Sequence, residues 1–333
     1  MKNRGGKIVL IVILSVIAIA LINVMVLSMI NRDNHLQISL LGFGNKTEEI
    51  FHESYTSKEI QEIKVDLTSS KITVQQGEGD AIQITAFGSQ GEKLKAQVKE
   101  GSLQIEKEKN VVHVLGIFCW YRQELIIEVP KNYPEKFTLT TASGNIDLVD
   151  LDQANVQLET SSGNIRGGNV NRGEVKSSSG NIIMGNANEM IAKSSSGKIE
   201  TKNINQATLS SSSGNIKTGE LGEATVKATS GSITIQKAKK LVSSVSSGNI
   251  QVDDIEGFCQ IESTSGRIKI DNCFINEDSV LSAKSGNIEV NHKNDVYVET
   301  NTSSGNVKVE RNNRKAEIQL MVQTTSGNIR VNG

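Results

Sequence analysis

The sequence predicts an all-β chain: a parallel β-solenoid (β-helix) with rungs of about 17–22 residues, preceded by one N-terminal transmembrane helix. Three observations carry that prediction. Ser-Gly-x-(Ile/Val) occurs eleven times, with glycines at 144, 163, 180, 197, 214, 231, 248, 266, 286, 305 and 327, spaced 19, 17, 17, 17, 17, 17, 18, 20, 19 and 22 residues apart. Repeats of this period stack, and because each copy alternates apolar and polar residues with no room for a helix of about ten residues, the unit is a β-rung. Ile8 to Ile30 is apolar apart from Ser15, Asn23 and Ser28, long enough at about 1.5 Å per residue to cross a bilayer core of roughly 30 Å.

Composition narrows the function classes. A chain of 333 residues with 37% hydrophobic side chains and 36 basic against 37 acidic groups is a folded one. The net charge of -1 gives no electrostatic footprint for nucleic acid. Two prolines and 4% aromatics argue against mucin-like and collagen-like chains and against an aromatic-rich carbohydrate-binding module.

Residues 1–7 form a short N-terminus carrying Lys2, Arg4 and Lys7, and no acidic residue occurs among the first thirty. Positive-inside reasoning keeps this end in the cytoplasm and sends the C-terminal part outside, a single-pass cell-membrane protein with the membrane as a partner through Ile8–Ile30. A cleaved secretory signal is the competing reading, with a shorter apolar region and an A-x-A site that is not found here. With the three basic charges set aside, the chain beyond Ile30 carries -4, so anchoring falls to the helix rather than to anionic lipid. Asn23 either hydrogen-bonds a second helix or is tolerated in a long span.

Residues 31–57 lack sustained apolar periodicity and are expected to be a stalk. Residues 58–136 read as a β-rich opening or cap, with Ile63, Val65 and Leu67, then Ile72 and Val74, then Ile82 and Ile84 in alternation. Leu67-Thr-Ser-Ser-Lys-Ile72 looks like a repeat turn lacking its glycine, which favours one continuous fold. Residues 137–333 are the repeats.

Columns of equivalent positions test the register. Two residues after each glycine stands Ile or Val in all eleven copies, from Ile146 to Ile329, a column expected to face the core. Seven after it lie Leu151, Val170, Ala187, Ile204, Leu221, Ala238, Ile255 and Cys273, and five before it Leu158, Val175, Ala192, Leu209, Val226, Ile261, Leu281 and Val322. Asn follows the glycine in eight of eleven copies, suiting a turn and an axial ladder of amides. The outward column three after the glycine alternates in sign, which predicts Asp147 beside Arg166, Glu200 beside Lys217, and Glu289 between Lys269 and Lys308.

The Ser-Ser-Gly-Asn-Ile motifs, the run Glu-Leu-Ile-Ile-Glu-Val-Pro at 124–130 leading into Thr-Thr-Ala-Ser-Gly-Asn-Ile at 140–146, and the N-terminal anchor together resemble the bacterial "putative adhesin" domains of unknown function, including those of Lia-type membrane-anchored envelope proteins. The likeness covers about residues 60 to 333. It implies a β-solenoid outside the membrane in a bacterial cell envelope, and it transfers no catalytic residue.

No enzymatic chemistry is legible. His35, His52, His113 and His292 sit in no metal-ligand spacing, no C-x-x-C occurs, and a serine recurring in eleven turns is structural. No catalytic residue, metal ligand or cofactor is assigned. Cys119, Cys259 and Cys273 make an odd number; the last two read as buried small groups, with a bridged pair as the alternative. Asp253, Asp271 and Asn291, with Asp254 and Asn272 beside them, stack into an oxygen-rich edge that is either a solvated acidic turn or a Ca²⁺ site. Phe118, Trp120 and Tyr121 are either a cap on the first rung or a partner contact. The last repeat, Gly327–Gly333, has no visible cap and reads as an exposed edge for self-association. Three functions follow: an adhesin-like binding or envelope-sensing surface for an envelope protein or glycan, a structural spacer, and, behind both, a polysaccharide-active β-helix enzyme.

Overall fold

The computed structural model describes residues 48–88, 93–107, 123–131 and 133–333. The segment Ile8–Ile30 and the aromatic residues Phe118, Trp120 and Tyr121 lie outside them. Among the described residues no helix is long and apolar enough to cross a membrane, and the one helical element is a single turn at Ser57–Glu59.

The opening segment contributes β1 (Glu48–Thr56), β2 (Glu62–Leu67), β3 (Lys71–Gln76), β4 (Ala81–Gly88), β5 (Leu94–Lys99), β6 (Ser102–Lys107) and β7 (Glu124–Val129). The repeats begin with β8 (Lys136–Thr141), β9 (Ile146–Leu148), β10 (Leu151–Thr160), β11 (Ile165–Gly167), β12 (Val170–Ser177), β13 (Ile182–Met184), β14 (Ala187–Ser194), β15 (Ile199–Thr201) and β16 (Ile204–Ser211). They continue through β17 (Ile216–Ala228), β18 (Ile233–Ser247), β19 (Ile250–Ser265), β20 (Ile268–Ile275), β21 (Ser279–Ser285), β22 (Ile288–His292), β23 (Tyr297–Ser304), β24 (Val307–Val309), β25 (Gln319–Ser326) and β26 (Ile329–Asn332).

These strands build a parallel β-solenoid of about 11 turns. A rung pairs a short strand after the glycine with a long strand before the next one, and parallel pairing stacks like on like: Ile146 on Ile165, Leu158 on Val175, Ile165 on Ile182. Alternation then sends the Ile column inward, where Ile146, Ile165, Ile182, Ile199, Ile216, Ile233, Ile250 and Ile268 are fully buried. Burying each such side chain contributes roughly 1.5–3 kcal/mol, largely offset by chain entropy.

The order of rungs departs from the order of the chain at both ends. At the N-terminal end β2 lies between β8 and β6, and β3 between β9 and β7. The rung formed by β6 and β7 is therefore outermost, although it comes later in sequence than β2 and β3. Ile72 stacks on Ile146, so the segment 67–72 is indeed a repeat turn, continuous with the solenoid. Beyond β7 the sheet changes direction: β4 pairs antiparallel with β7 and β1 pairs antiparallel with β4, while β5 closes on β6 as a hairpin. Strand β1 occupies residues 48–56, inside the stretch read as a stalk; its half-buried Ile50, Phe51 and Tyr55 pack on the core without the clean alternation that would have announced a strand.

At the far end β25 lies between β21 and β23, and β26 between β22 and β24. The last repeat is thus an interior rung, and the reading of Gly327–Gly333 as the exposed edge is corrected: the outer rung is β23 with β24. In it the core position five before the glycine is Thr300, stacked on Val322, and Val307 of the Ile column is 43% exposed. Asn312 folds over the outer strand, accepting from Val298 N (2.9 Å) and donating to Val298 O (2.8 Å), as a further strand would. Polar Thr300 and the Asn312 clamp are what an end rung requires. The outward charges are re-sorted accordingly. Glu289 stacks between Lys269 and Arg330, not Lys308, because Arg330 occupies the inserted rung.

Candidate functional site: an amide-lined groove

Turn chemistry fixes the rungs tightly enough to position surface side chains. At Gly144, Gly163, Gly180 and Gly214 the Ser or Thr three before the glycine accepts the glycine N–H, as Thr160 does from Gly163 (3.0 Å) and Ser177 from Gly180 (2.9 Å). Thr160 also donates to the carbonyl of Gly144 in the previous rung (3.2 Å). A Cβ built on Gly163 or Gly180 would stand 1.7 Å from the glycine carbonyl oxygen one rung below, so close approach of the backbones requires glycine there. The expected amide ladder is present: Asn145, Asn164 and Asn181 each accept, through Oδ1, the backbone N–H of the equivalent residue one rung on, at 2.8–2.9 Å.

A second, unforeseen amide array lies at the corner between short and long strands. Six and eight residues after successive glycines stand Asp150 and Asp152, Asn169 and Asn171, Asn186 and Asn188, and Asn203 and Asn205. The residues between them, Leu151, Val170, Ala187 and Ile204, are buried and stack on one another, so both flanking columns face outward. The three Asn rungs and Asp152 border a groove of about 320 Å³ floored by Val170 and Ala187.

The inner column is structural. Asp150 Oδ1 accepts Asn169 N (2.7 Å), Asn169 Oδ1 accepts Asn186 N (2.9 Å), Asn186 Oδ1 accepts Asn203 N (3.1 Å), and Asn203 Oδ1 accepts Glu220 N (3.0 Å). Each carboxylate or amide satisfies a corner N–H of the rung above it. The outer column is exposed and only partly self-satisfied: Asn171 Nδ2 donates to Asn155 (3.2 Å) and Asn205 Nδ2 to Asn188 (3.1 Å). The C=O of Asn171, the NH₂ of Asn188 and the C=O of Asn205 find no partner among the described residues, and all three residues line the groove. The repeated Asn-x-Asn was visible in the sequence; what hid it was that a polar pair flanking a core residue also reads as an ordinary corner.

The oxygen-rich edge is broken by a register shift after Ile270 and does not converge. Asp253 accepts from Gln251 (3.3 Å), Asp271 is paired with Lys269 (2.6 Å), Asn291 accepts from Asn332 (2.6 Å) and Asp254 from Asn272 (2.8 Å), so neighbours within or beside each strand take up the oxygens. Among the described residues no group of three or more His, Cys, Asp or Glu side chains is arranged to hold a metal ion. Cys259 and Cys273 are free, buried thiols, and contact with Cys259 together with burial pushes the Cys273 thiol up from its ordinary value. His292, also buried, sets its two ring nitrogens against the carbonyl oxygens of Asn294 (2.9 Å) and Arg311 (3.1 Å), which ties β22, two rungs in from the end, to the segment that follows the outer rung.

Stacked rungs, a glycine ladder and outward side-chain columns define a parallel β-solenoid repeat protein. The profile of the Toastrack DUF4097 family matches residues 60–187 and 174–332, and the chain belongs to that family. No curated protein matches it detectably in sequence. Among solved structures, a "putative cell adhesion protein" from Clostridium sporogenes is 14% identical, covering 86% of this chain and 99% of that one with a TM-score of 0.26. A "putative adhesin" from Bacteroides fragilis is 12% identical over 84% of this chain and 96% of that one, TM-score 0.35. A "putative lipid binding protein" from Parabacteroides distasonis is 13% identical over 84% and 96%, TM-score 0.32.

Proposed function

We propose that this protein is a non-enzymatic display scaffold of a bacterial cell envelope, anchored through Ile8–Ile30 with its solenoid outside the membrane, and that it binds an envelope component in the manner of an adhesin or envelope sensor. The observation that carries the reading is the groove at Asn169–Asn205: side chains offered in register by a stack of rungs, with amides that lack partners and Asp152 the one titratable residue among those that line it. Amides arranged in this way recognise and do not transform, since neither a nucleophile with its base nor a paired acid and base stands over the groove. Membership of the Toastrack family and the apolar N-terminal segment agree with this reading. The Lia-type likeness adds a role in the response to envelope stress.

Two measurements test it. Protease added to intact cells is expected to remove the C-terminal part, and protection until the membrane is permeabilised would overturn the topology. The full chain in lipid nanodiscs is expected to bind isolated envelope material saturably and without turnover, with Trp120→Ala run alongside to show whether the opening segment shares in the contact. Concentration-dependent assembly with no binding would instead make the protein a spacer.

A further inference from the structure

The groove's chemistry goes further and selects a class of ligand; the inference rests on the display reading just given. The geometry points to an uncharged, hydroxyl- and amide-bearing glycan chain laid along the solenoid axis across Asn171, Asn188 and Asn205.

Charge is the first argument. The three central rungs line the groove with amides alone, Asp150 and Asp152 close one end, and Glu220 stands at the same corner of the rung beyond the other. Arg172, beside the outer column, is committed to Glu189 (3.1 Å), which leaves Lys202, next to Asn203, as a single basic side chain at this corner rather than one of a cluster. An anionic polymer would meet carboxylates at both ends with no free cluster of cations between. A metal ion is equally poorly served, because the inner-column oxygens already accept backbone N–H groups.

Hydrogen-bond capacity is the second argument. The outer column presents a free C=O, a free NH₂ and a free C=O in successive rungs, an alternation that a hydroxyl, being donor and acceptor at once, satisfies at every step. Rungs repeat every ~4.8 Å, so the three amides offer polar groups at short regular steps along the axis, to which the closely spaced hydroxyls of an extended sugar chain can bond. An extended peptide is less well suited, since it gains most of its affinity by pairing with a strand edge, and the groove lies on a face whose backbone groups are spent in ladders and corner bonds. No aromatic platform borders the groove, so a single chain binds weakly, with a dissociation constant on the order of 1 mM, and useful attachment comes from many copies on one surface.

The test uses the full chain in nanodiscs, with side-chain amide resonances followed by NMR as tetra-N-acetylchitotetraose is added. Saturable shifts of the Asn171, Asn188 and Asn205 amides are expected, together with at least a 10-fold loss of affinity in the triple variant Asn171→Ala, Asn188→Ala, Asn205→Ala. That variant alters only exposed side chains, and unchanged thermal unfolding is its control. Polyglycerol phosphate, the anionic probe, is expected to bind at least 10-fold more weakly. Equal or tighter binding of the polyanion overturns the proposal, as does tetramer binding that the triple variant leaves intact. If isolated envelope material binds but the tetramer does not, the ligand class is wrong and the display reading stands; if neither binds, both fall.

Discussion

The turns of the first and second halves of the repeat array carry the same Ser-Gly-x-Ile sequence and solve the same problem differently. Up to Gly214 the long strand stops three residues before the glycine, and the hydroxyl there accepts the glycine N–H at Gly144, Gly163, Gly180 and Gly214, as Ser211 does (2.9 Å), while Ser194 before Gly197 keeps the same strand end with its hydroxyl unpartnered among the described residues. From Gly248 onward the strand runs on through the serine before the glycine, and the glycine N–H joins the ladder, Gly248 donating to Ser265 O and Gly266 to Ser285 O, both 3.1 Å. Gly248, Gly266, Gly305 and Gly327 accordingly take φ of 149°, 146°, 151° and 151°. The strand end is unchanged before Gly231, where Ala228 replaces the hydroxyl, and the switch is made at Gly248, where Val245 does. It persists at Gly266 although Ser263 restores a hydroxyl, which is left without a partner among the described residues. Turn geometry is therefore a property of neighbouring rungs, which must match one another's hydrogen bonds, and not of the single repeat.

Substitutions of one type in the two halves break this comparison most sharply at glycine. Gly180→Ala drives a Cβ to 1.7 Å from Gly163 O, whereas at Gly248 the distance to Gly231 O is 2.5 Å. We expect Gly180→Ala to cost more than about 3 kcal/mol, or to prevent folding, and Gly248→Ala to cost about 1–3 kcal/mol, chiefly through its positive φ. Chemical denaturation of both, with hydrogen exchange to locate the damage, decides it; equal losses would refute the distinction between these two positions, since at Gly266 the approach is again close, 1.8 Å. A smaller contrast comes from the hydroxyls. Ser211→Ala leaves the Gly214 N–H unpaired and should cost about 1–2 kcal/mol, while Ser263→Ala removes an unpartnered hydroxyl and should be neutral or slightly stabilising. Opposite in sign to the glycine substitutions is Ser243→Val. Ser243 is buried, stacked between Val226 and Ile261, and its hydroxyl has no partner among the described residues, so the valine that the same column carries at 226 should raise stability by about 1 kcal/mol. A lowered unfolding midpoint for this variant would show that the hydroxyl is satisfied by water.

Much of the solenoid was legible because a parallel stack writes its register into the sequence: a residue that stacks on its own equivalent must recur at the same position, as the buried Ile146, Ile165 and Ile182 do. The charge pair Asp147–Arg166 followed from the same logic and stands at 3.7 Å. The end rung was less legible, although its marks were present: Thr300 where the column otherwise carries mostly Leu or Val, and Val307 where every other copy has Ile. Such departures point to an end only once it is known that β25 and β26 insert ahead of them. In the groove, Asn-x-Asn was countable, but its inner column proved to be corner scaffolding and its outer column a surface, a division set by which amide oxygens reach a backbone N–H.

The sequence by itself determined the period, the inward columns and the need for glycine at each turn, because these are local demands that every rung makes alike. Tertiary structure alone decided the order of rungs at the two ends, the change of turn geometry beyond Gly231 and the opening of the groove. Each of these depends on which rung lies next to which, and pairing between strands of nearly equivalent sequence leaves that choice to the ends, where Thr300 and the Asn312 clamp can face solvent and the apolar rung of β25 and β26 cannot.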